Sequence, residues 1–369
     1  MTDDLPGDTI GDRIPDRVGE RKDEHVRLAD EFGAAERRND FDDVAFLHHA
    51  LAETSRDAVD LAPRLTRLDW PVPLYINAMT GGSDRTGRVN AELATVAQAV
   101  GLPIASGSQS AALRDPDAAA SFTVLRERNP DGFLLANVGA GASVDDARRA
   151  IDMLRADALQ VHLNVAQEVV MPEGDRDFSG RLDGIGAIVE AVDVPVVVKE
   201  VGFGLSRRTI QQLLGVGVRT VDVSGAGGTN FVEIENARRD NDDFGYLSGW
   251  GQSAVACLLD AADLGDRVEL LASGGVRTPL DVARALALGA RAVGLSGGVL
   301  RPLLSRGADS VTESLRDWLA QLADITALLG HTSVAGLADT DVLLTGRVRE
   351  FCDLRGIDAR AYATRTGRA

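Results

Sequence analysis

The sequence predicts one (β/α)8 barrel with an N-terminal arm and C-terminal helices, and three observations carry that expectation. Short runs of Val, Leu, Ile and Ala alternate with amphipathic stretches eight times between Pro71 and Gly298. Continuous apolar runs of this kind are what parallel strands buried on both faces require. Each run ends in glycine or polar residues, as strands do where a barrel carries its site. Nothing in the middle of the 369 residues reads as a linker, so the core belongs to one large unit. A doubly wound open sheet would not need eight units.

In chain order, PVPLYINAM leads to the helix GRVNAELATVAQAVG, and PIASGSQ to a helix ending near Arg128. GFLLANVGAG precedes VDDARRAIDMLRA, and ALQVHLN precedes LDGIGAIVEAV. PVVVKEVG is followed by SRRTIQQLLGVG, and TVDVSGAGG by an insertion and the helix QSAVACLLDAADLG. VELLASGGV leads to TPLDVARALALG, and RAVGLSGG to a long helical stretch. Residues 1–70 form the arm, with a helix at GERKDEHVRLADEF and a mixed helix around DDVAFLHHALAE that would carry His48 and His49 on its surface or partly buried. Residues 71–330 make the barrel, and 331–369 a helical tail packed on it.

The charge balance narrows the partners. The formal net charge is −17, from 40 Asp and 16 Glu against 37 Arg and two Lys. So acidic a chain repels nucleic acid and anionic membrane, and an Asp-rich, Lys-poor surface suits a high-salt cytoplasm where screening relieves self-repulsion. The N-terminus is acidic without an apolar segment, so neither a signal peptide nor a membrane span is expected. Cys257 and Cys352 are far apart and read as reduced small hydrophobes. With lysine nearly abandoned, Lys22 and Lys199 ask for a local reason, and both lie in motifs.

The richest stretch is ALQVHLNVAQEVV, which sets His162, Asn164, Gln167 and Glu168 at the end of one strand. Each such polar group left unpaired would cost about 1–3 kcal/mol, so they either plug the turn by bonding one another or bind a ligand or metal. Other strand ends carry NAMTGG from Asn77, SGSQ from Ser106, Asn137, Lys199, SGAGGTN from Ser224, SGGVR from Ser273 and SGG from Ser296. Glycine turns after strands seven and eight are where a barrel cradles phosphate on backbone N–H groups. Lys199 either faces an anionic ligand or pairs with Glu200. Arg21, Lys22 and His25 fall in one helical turn, either a solvated basic turn or a clamp for a polyphosphate.

Taken in order, RKDEH, NAMTGG, GSQ, ANVG, VHLN..QE, KEVGFG, VSGAGGTN, SGGVR and GLSGG resemble the type 2 isopentenyl-diphosphate Δ-isomerases, FMN-dependent barrel enzymes of isoprenoid synthesis. RKDEH and VHLN..QE are the specific parts. The resemblance implies conversion of isopentenyl to dimethylallyl diphosphate, with reduced FMN, Mg²⁺, NADPH as reductant and a homo-oligomer, tetramer or octamer. It implies FMN contacts from Ala78, Met79, Thr80, Gly81, Ser108, Asn137, Lys199, Ser224 and Thr229. The flavin phosphate would rest on Gly274, Gly275, Val276, Arg277, Ser296 and Gly297. Substrate would meet Arg21, Lys22, His25, Ser108, Gln109, Ser110 and Gln167. Gln167, His162 and Asn164 would serve the chemistry, and Glu168 would bind Mg²⁺. The family often has arginine where this chain has Ser110, which leaves Arg114 as a substitute. FMN-dependent 2-hydroxy-acid oxidases share the barrel, but they carry a histidine base in SNHGGR, and Ala226 stands at that place here.

Overall fold

The computed structural model describes residues 14–32, 39–241 and 243–366; the leading acidic segment, where no signal peptide is expected, lies outside the described residues. Helix α1 (Ile14–Phe32) and strand β1 (Val44–Phe46) belong to the arm. The barrel opens with β2 (Leu74–Ile76), α2 (Asp84–Val100), β3 (Ile104–Ala105), α3 (Ser110–Arg114) and α4 (Ala120–Arg128). It continues with β4 (Leu134–Gly139), α5 (Val144–Leu154), β5 (Ala158–His162), α6 (Val165–Val170) and α7 (Arg181–Ala191). Next come β6 (Val196–Lys199), α8 (Arg207–Gly215), β7 (Thr220–Asp222), α9 (Phe231–Ala237) and α10 (Ala254–Asp260). It closes with β8 (Glu269–Ser273), α11 (Pro279–Ala287), β9 (Ala292–Leu295) and α12 (Gly297–Leu328). Strands β2 to β9 pair in parallel in chain order, and β9 returns to β2 with Tyr75 opposite Gly294. The eight predicted units are therefore all present.

Local chemistry starts the helices. Ser83, Ser143, Ser206, Ser253 and Thr278 accept backbone N–H bonds at the heads of α2, α5, α8, α10 and α11. At α12 the corresponding Ser296 makes no such bond. That helix breaks at Gly307, whose φ of 79° is left-handed backbone.

The barrel interior is layered. At the bottom Trp70 packs on Tyr75 with ring centroids 4.8 Å apart, among Leu135, Val197 and Leu271. Gly294 is required there, because a Cβ would lie 2.7 Å from the Tyr75 ring. Above this plug, the buried Asp222 carboxylate accepts from Tyr75 Oη at 2.6 Å, Asn77 Nδ2 at 2.7 Å, Ser273 Oγ at 2.8 Å and the Ser224 N–H at 3.0 Å. Gln160 extends the layer by donating to Asn77 Oδ1 at 3.2 Å.

The arm and tail depart from expectation. The stretch around DDVAFLHHALAE is not a helix: after a short 3-10 turn at Asp40–Asp43, β1 pairs antiparallel with β10 (Val342–Leu344). His48 and His49 follow β1 outside any helix, and His49 Nε2 sits 3.3 Å from Asp341 Oδ2. The tail beyond residue 330 thus holds a strand besides its helices α13 (Gly346–Arg355) and α14 (Ala359–Ala363). Val44 and Phe46 prefer a strand, and a partner 300 residues away supplies it.

Asp222→Ala would leave Tyr75, Asn77 and Ser273 without their acceptor in a dry interior and should lower unfolding free energy by about 3–5 kcal/mol in urea titration. A change below about 1 kcal/mol would show that the layer does not hold the barrel.

Candidate functional site

A cavity of about 970 Å³ opens at the C-terminal ends of the strands, directly above the Asp222 layer. Its walls include Ala78, Met79, Thr80, Ser108, Asn137, His162, Gln167, Lys199, Ser224 and Thr229, so most of the predicted strand-end residues converge. Gly274, Gly275, Val276, Ser296 and Gly297 line one side. Gly274 and Gly275 have φ of 97° and 77°, and a Cβ on Gly274 would lie 1.9 Å from the Gly225 carbonyl oxygen. Only glycine permits these turns, and beside them the uncapped first turn of α12 presents N–H groups. Glycine turns beside a helix N-terminus are a geometry able to receive a phosphate on backbone N–H groups.

Above the strands, α1 sets its basic turn over the cavity. Lys22 and His25 line it, while Arg21 lies beside it with Nη1 3.6 Å from Met171 Sδ and 3.4 Å from Glu173 Oε1. The turn is tied down by Glu235 on α9, a fully buried carboxylate that the sequence reading did not single out. Glu235 Oε1 accepts from Gln167 Nε2 at 2.7 Å and lies 3.0 Å from His25 Nε2, while Oε2 accepts from Arg238 at 2.5 Å. Although burial alone would raise it, contacts with His25, Gln167 and Arg238 pull the carboxyl down to about 2. An ionised carboxylate can only accept, so the Gln167 amide nitrogen must face Glu235 and its carbonyl oxygen is the end left over.

Three buried groups are electrically perturbed. Burial, and then the Lys199 and Lys22 charges, push His162 down to about 3, so its imidazole is neutral; Nδ1 sits 2.9 Å from Asn137 Oδ1. Burial, and then Arg21, lower Lys22 to about 8. Lys199 is lowered by burial too, and no salt bridge joins it to Glu200. Glu200 instead gathers the N–H groups of Val201, Gly202, Phe203 and Gly204 on Oε2, at 2.5 to 3.2 Å. The Asp222 and Glu200 charges nevertheless act on Lys199 and oppose the effect of burial, with no side-chain hydrogen bond to either.

Several of the expected site residues are engaged by neighbouring protein groups. Gln109 is fully buried, donating to the Ala150 carbonyl at 3.0 Å and accepting the Asn137 N–H at 2.9 Å, and it is not among the residues lining the cavity. Gly81 is needed because a Cβ would meet the Phe122 ring at 2.2 Å. Arg277 lines the cavity, but its guanidinium is held by Asp42 at 2.6 Å and Asp281 at 3.1 Å. Asn164 gives its amide to Glu168 Oε1 at 2.7 Å, and Ser110 bonds Ser108 at 3.3 Å. Glu168 Oε2 takes the Asp175 N–H at 2.8 Å, one residue along α6 from Gln167.

The residues present fit a flavin mononucleotide. The phosphate cradle, the unpaired Lys199 and the buried Thr80 Oγ1, which has no partner, supply the anion and polar contacts such a group needs. The carboxylate expected to bind a metal, Glu168, is not part of the cavity wall, and its two oxygens each already accept one hydrogen bond. Among the described residues no three His, Cys, Asp or Glu gather, and Mg²⁺ takes one or two carboxylates with phosphate oxygens and water.

The family described as FMN-dependent dehydrogenase matches residues 156–344, about half of the chain. Solved structures share the fold: a mutant flavocytochrome b2 with pyruvate bound has a TM-score of 0.63 at 20% identity, covering 85% of this chain and 80% of its own. A mandelate oxidase mutant with an FMN adduct has a TM-score of 0.59 at 20% identity, covering 87% and 92%. Far nearer in sequence is an isopentenyl-diphosphate delta-isomerase of Streptomyces sp. (strain CL190), 55% identical over 94% of this chain and 95% of the relative. The enzyme of that name from Kitasatospora griseola is 56% identical over 95% and 96%, and the one from Latilactobacillus sakei subsp. sakei (strain 23K) 50% identical over 91% and 96%. None of these sources supports the salt-adapted origin expected from composition. On identity and coverage together, the chain belongs to the isopentenyl-diphosphate delta-isomerases, built on the FMN-dependent dehydrogenase barrel.

Proposed function

We propose that the chain interconverts isopentenyl and dimethylallyl diphosphate, with FMN on the barrel and Mg²⁺ at the diphosphate. The observation that carries this is the pairing of two anion sites at one mouth, a glycine cradle in the barrel and the Arg21, Lys22 and His25 turn above it. A 2-hydroxy-acid oxidase would use the first alone and would need a base where Ala226 stands.

Moving the double bond requires a proton delivered to one alkene carbon and another removed from C2, through a centre of cationic character. Bound in its reduced form, FMN supplies an electron-rich ring face and a protonic N5 for this chemistry. The side chains orient and screen. His162, held neutral, cannot serve as a strong acid and instead donates or accepts one hydrogen bond beside Asn137. Gln167, fixed by Glu235, offers its carbonyl oxygen to developing positive charge. Lys22 and Arg21 bind the diphosphate, and Glu168 holds Mg²⁺ against it. Thr80, Lys199 and the cradle at Gly274–Val276 hold the flavin. NADPH serves only to reduce it, with no net consumption. The protein is further proposed to work in a cytoplasm of high salt as a homo-oligomer, tetramer or octamer; among the described residues no helix is long and apolar enough to cross a membrane.

Purified protein with FMN, Mg²⁺, NADPH and isopentenyl diphosphate should form dimethylallyl diphosphate, seen by NMR, only when the flavin is reduced. Flavin-loaded protein that forms none would sink the substrate assignment. Glu168→Gln, nearly isosteric, should raise the Mg²⁺ concentration needed for activity at least tenfold while flavin absorbance stays unchanged. An unaltered Mg²⁺ titration would remove Glu168 from the metal. Because Lys22 is charged only below about pH 8, kcat/KM should fall above that pH by up to about tenfold per unit. Lys22→Arg should abolish this alkaline limb; a limb that survives belongs to another group.

A further inference from the structure

The arm places a buried amide, Asn39, directly behind the glycine turn that follows β8. Asn39 does not line the cavity, and both ends of its amide are fixed. Oδ1 accepts the Phe41 N–H at 3.0 Å as the cap of the 3-10 turn at Asp40–Asp43, so Nδ2 is the end that faces the barrel. There it donates to the Gly275 carbonyl at 2.7 Å. Asn39 also packs between the turns that follow β7 and β8, since a Cβ on Gly227 would lie 3.4 Å from both Asn39 Cβ and Gly275 Cα. The same 3-10 turn grips the side chain two residues beyond Gly275, where Asp42 holds the Arg277 guanidinium at 2.6 and 3.2 Å.

A trans peptide sets its C=O and its N–H in opposite directions, and no cis bond occurs among the described residues. With the Gly275 carbonyl drawn outward to Asn39, the Val276 N–H of that same peptide points inward, and Val276 lines the cavity. Among the described residues this N–H has no acceptor. It adjoins the first turn of α12, because the Val276 carbonyl lies 3.8 Å from where a Cβ on Gly298 would stand. We propose that Asn39 is a positioning residue for the flavin phosphate, an inference that rests on the FMN reading above: through the Gly275 carbonyl it turns the Val276 N–H into the cradle. A flavin without a phosphate has nothing to offer this donor. Asn39 therefore makes the barrel prefer a phosphorylated flavin to the bare one.

The test titrates flavin-free, full-length protein with FMN and with riboflavin, following the quenching of flavin fluorescence. Asn39→Ser keeps an oxygen for the Phe41 N–H but is too short to reach the Gly275 carbonyl. It should weaken FMN about tenfold and leave riboflavin within about twofold. Nearly isosteric Asn39→Asp also keeps the cap, yet it opposes an oxygen to the carbonyl and should weaken FMN at least as much. Unchanged FMN binding in either variant would overturn the proposal, and so would equal weakening of both flavins, which a merely structural role would produce. If wild type binds FMN no more tightly than riboflavin, the phosphate cradle itself fails and the proposal with it. A wild-type preference for FMN that survives Asn39→Ser overturns the role of Asn39 alone.

Discussion

The buried Asp222 carboxylate fixes where the site can be. A barrel of eight short strands must be filled inside, and apolar side chains do so only at the bottom, where Trp70 and Tyr75 close it. Asp222 turns the next layer polar by accepting from strands β2 and β8 and from its own strand end. A carboxylate taken from water needs several donors to be tolerated, and Tyr75, Asn77, Ser224 and Ser273 are those donors. Their commitment makes a rigid polar floor, on which Lys199, His162 and Asn137 stand at the height where a ligand begins.

Glu235 performs the matching task at the roof. It draws Gln167 from the barrel, His25 from the arm and Arg238 from its own helix onto one group. The arm helix also buries Val26 and Leu28 and bonds Ser83 through Asp23, so Glu235 adds a polar anchor to an apolar one. Lysine and arginine near one another repel, and the Glu235 carboxylate below them with Glu173 beside Arg21 lets the basic turn remain charged.

How much of this was legible depends on the range of the interaction. The eight strands could be read because parallel strands buried on both faces are apolar without interruption, and helix starts because Ser and Thr caps sit beside their own helices. Strand β1 could not, since its partner lies at the other end of the chain and VAF alone fits a helix as well. Glu235 was hidden because it falls in the insertion after TVDVSGAGG, where its pair with Arg238 three residues on gives no sign of its burial. Gln109 and Arg277 sit in motifs of the right composition, yet their side chains turn to the wall and to Asp42, and no spacing rule tells a side chain which way to face. Asp222, an acid inside an apolar strand, was a signal that could have been taken.

The pairing of β1 with β10 has a consequence for how the protein is made. It joins Val44 to Leu344, and the turn before it is held by Asp43, whose carboxylate accepts the Arg347 N–H at 2.9 Å. The stretch around β1 is therefore anchored by residues made about 300 positions later. Barrel strands and the Glu235 contact to the basic turn can form as they emerge, but β1 has no strand partner until residues 342–344 are made. A chain stalled short of residue 342 would carry the eight barrel strands complete and β1 still unpaired, so the arm would be the last part to close.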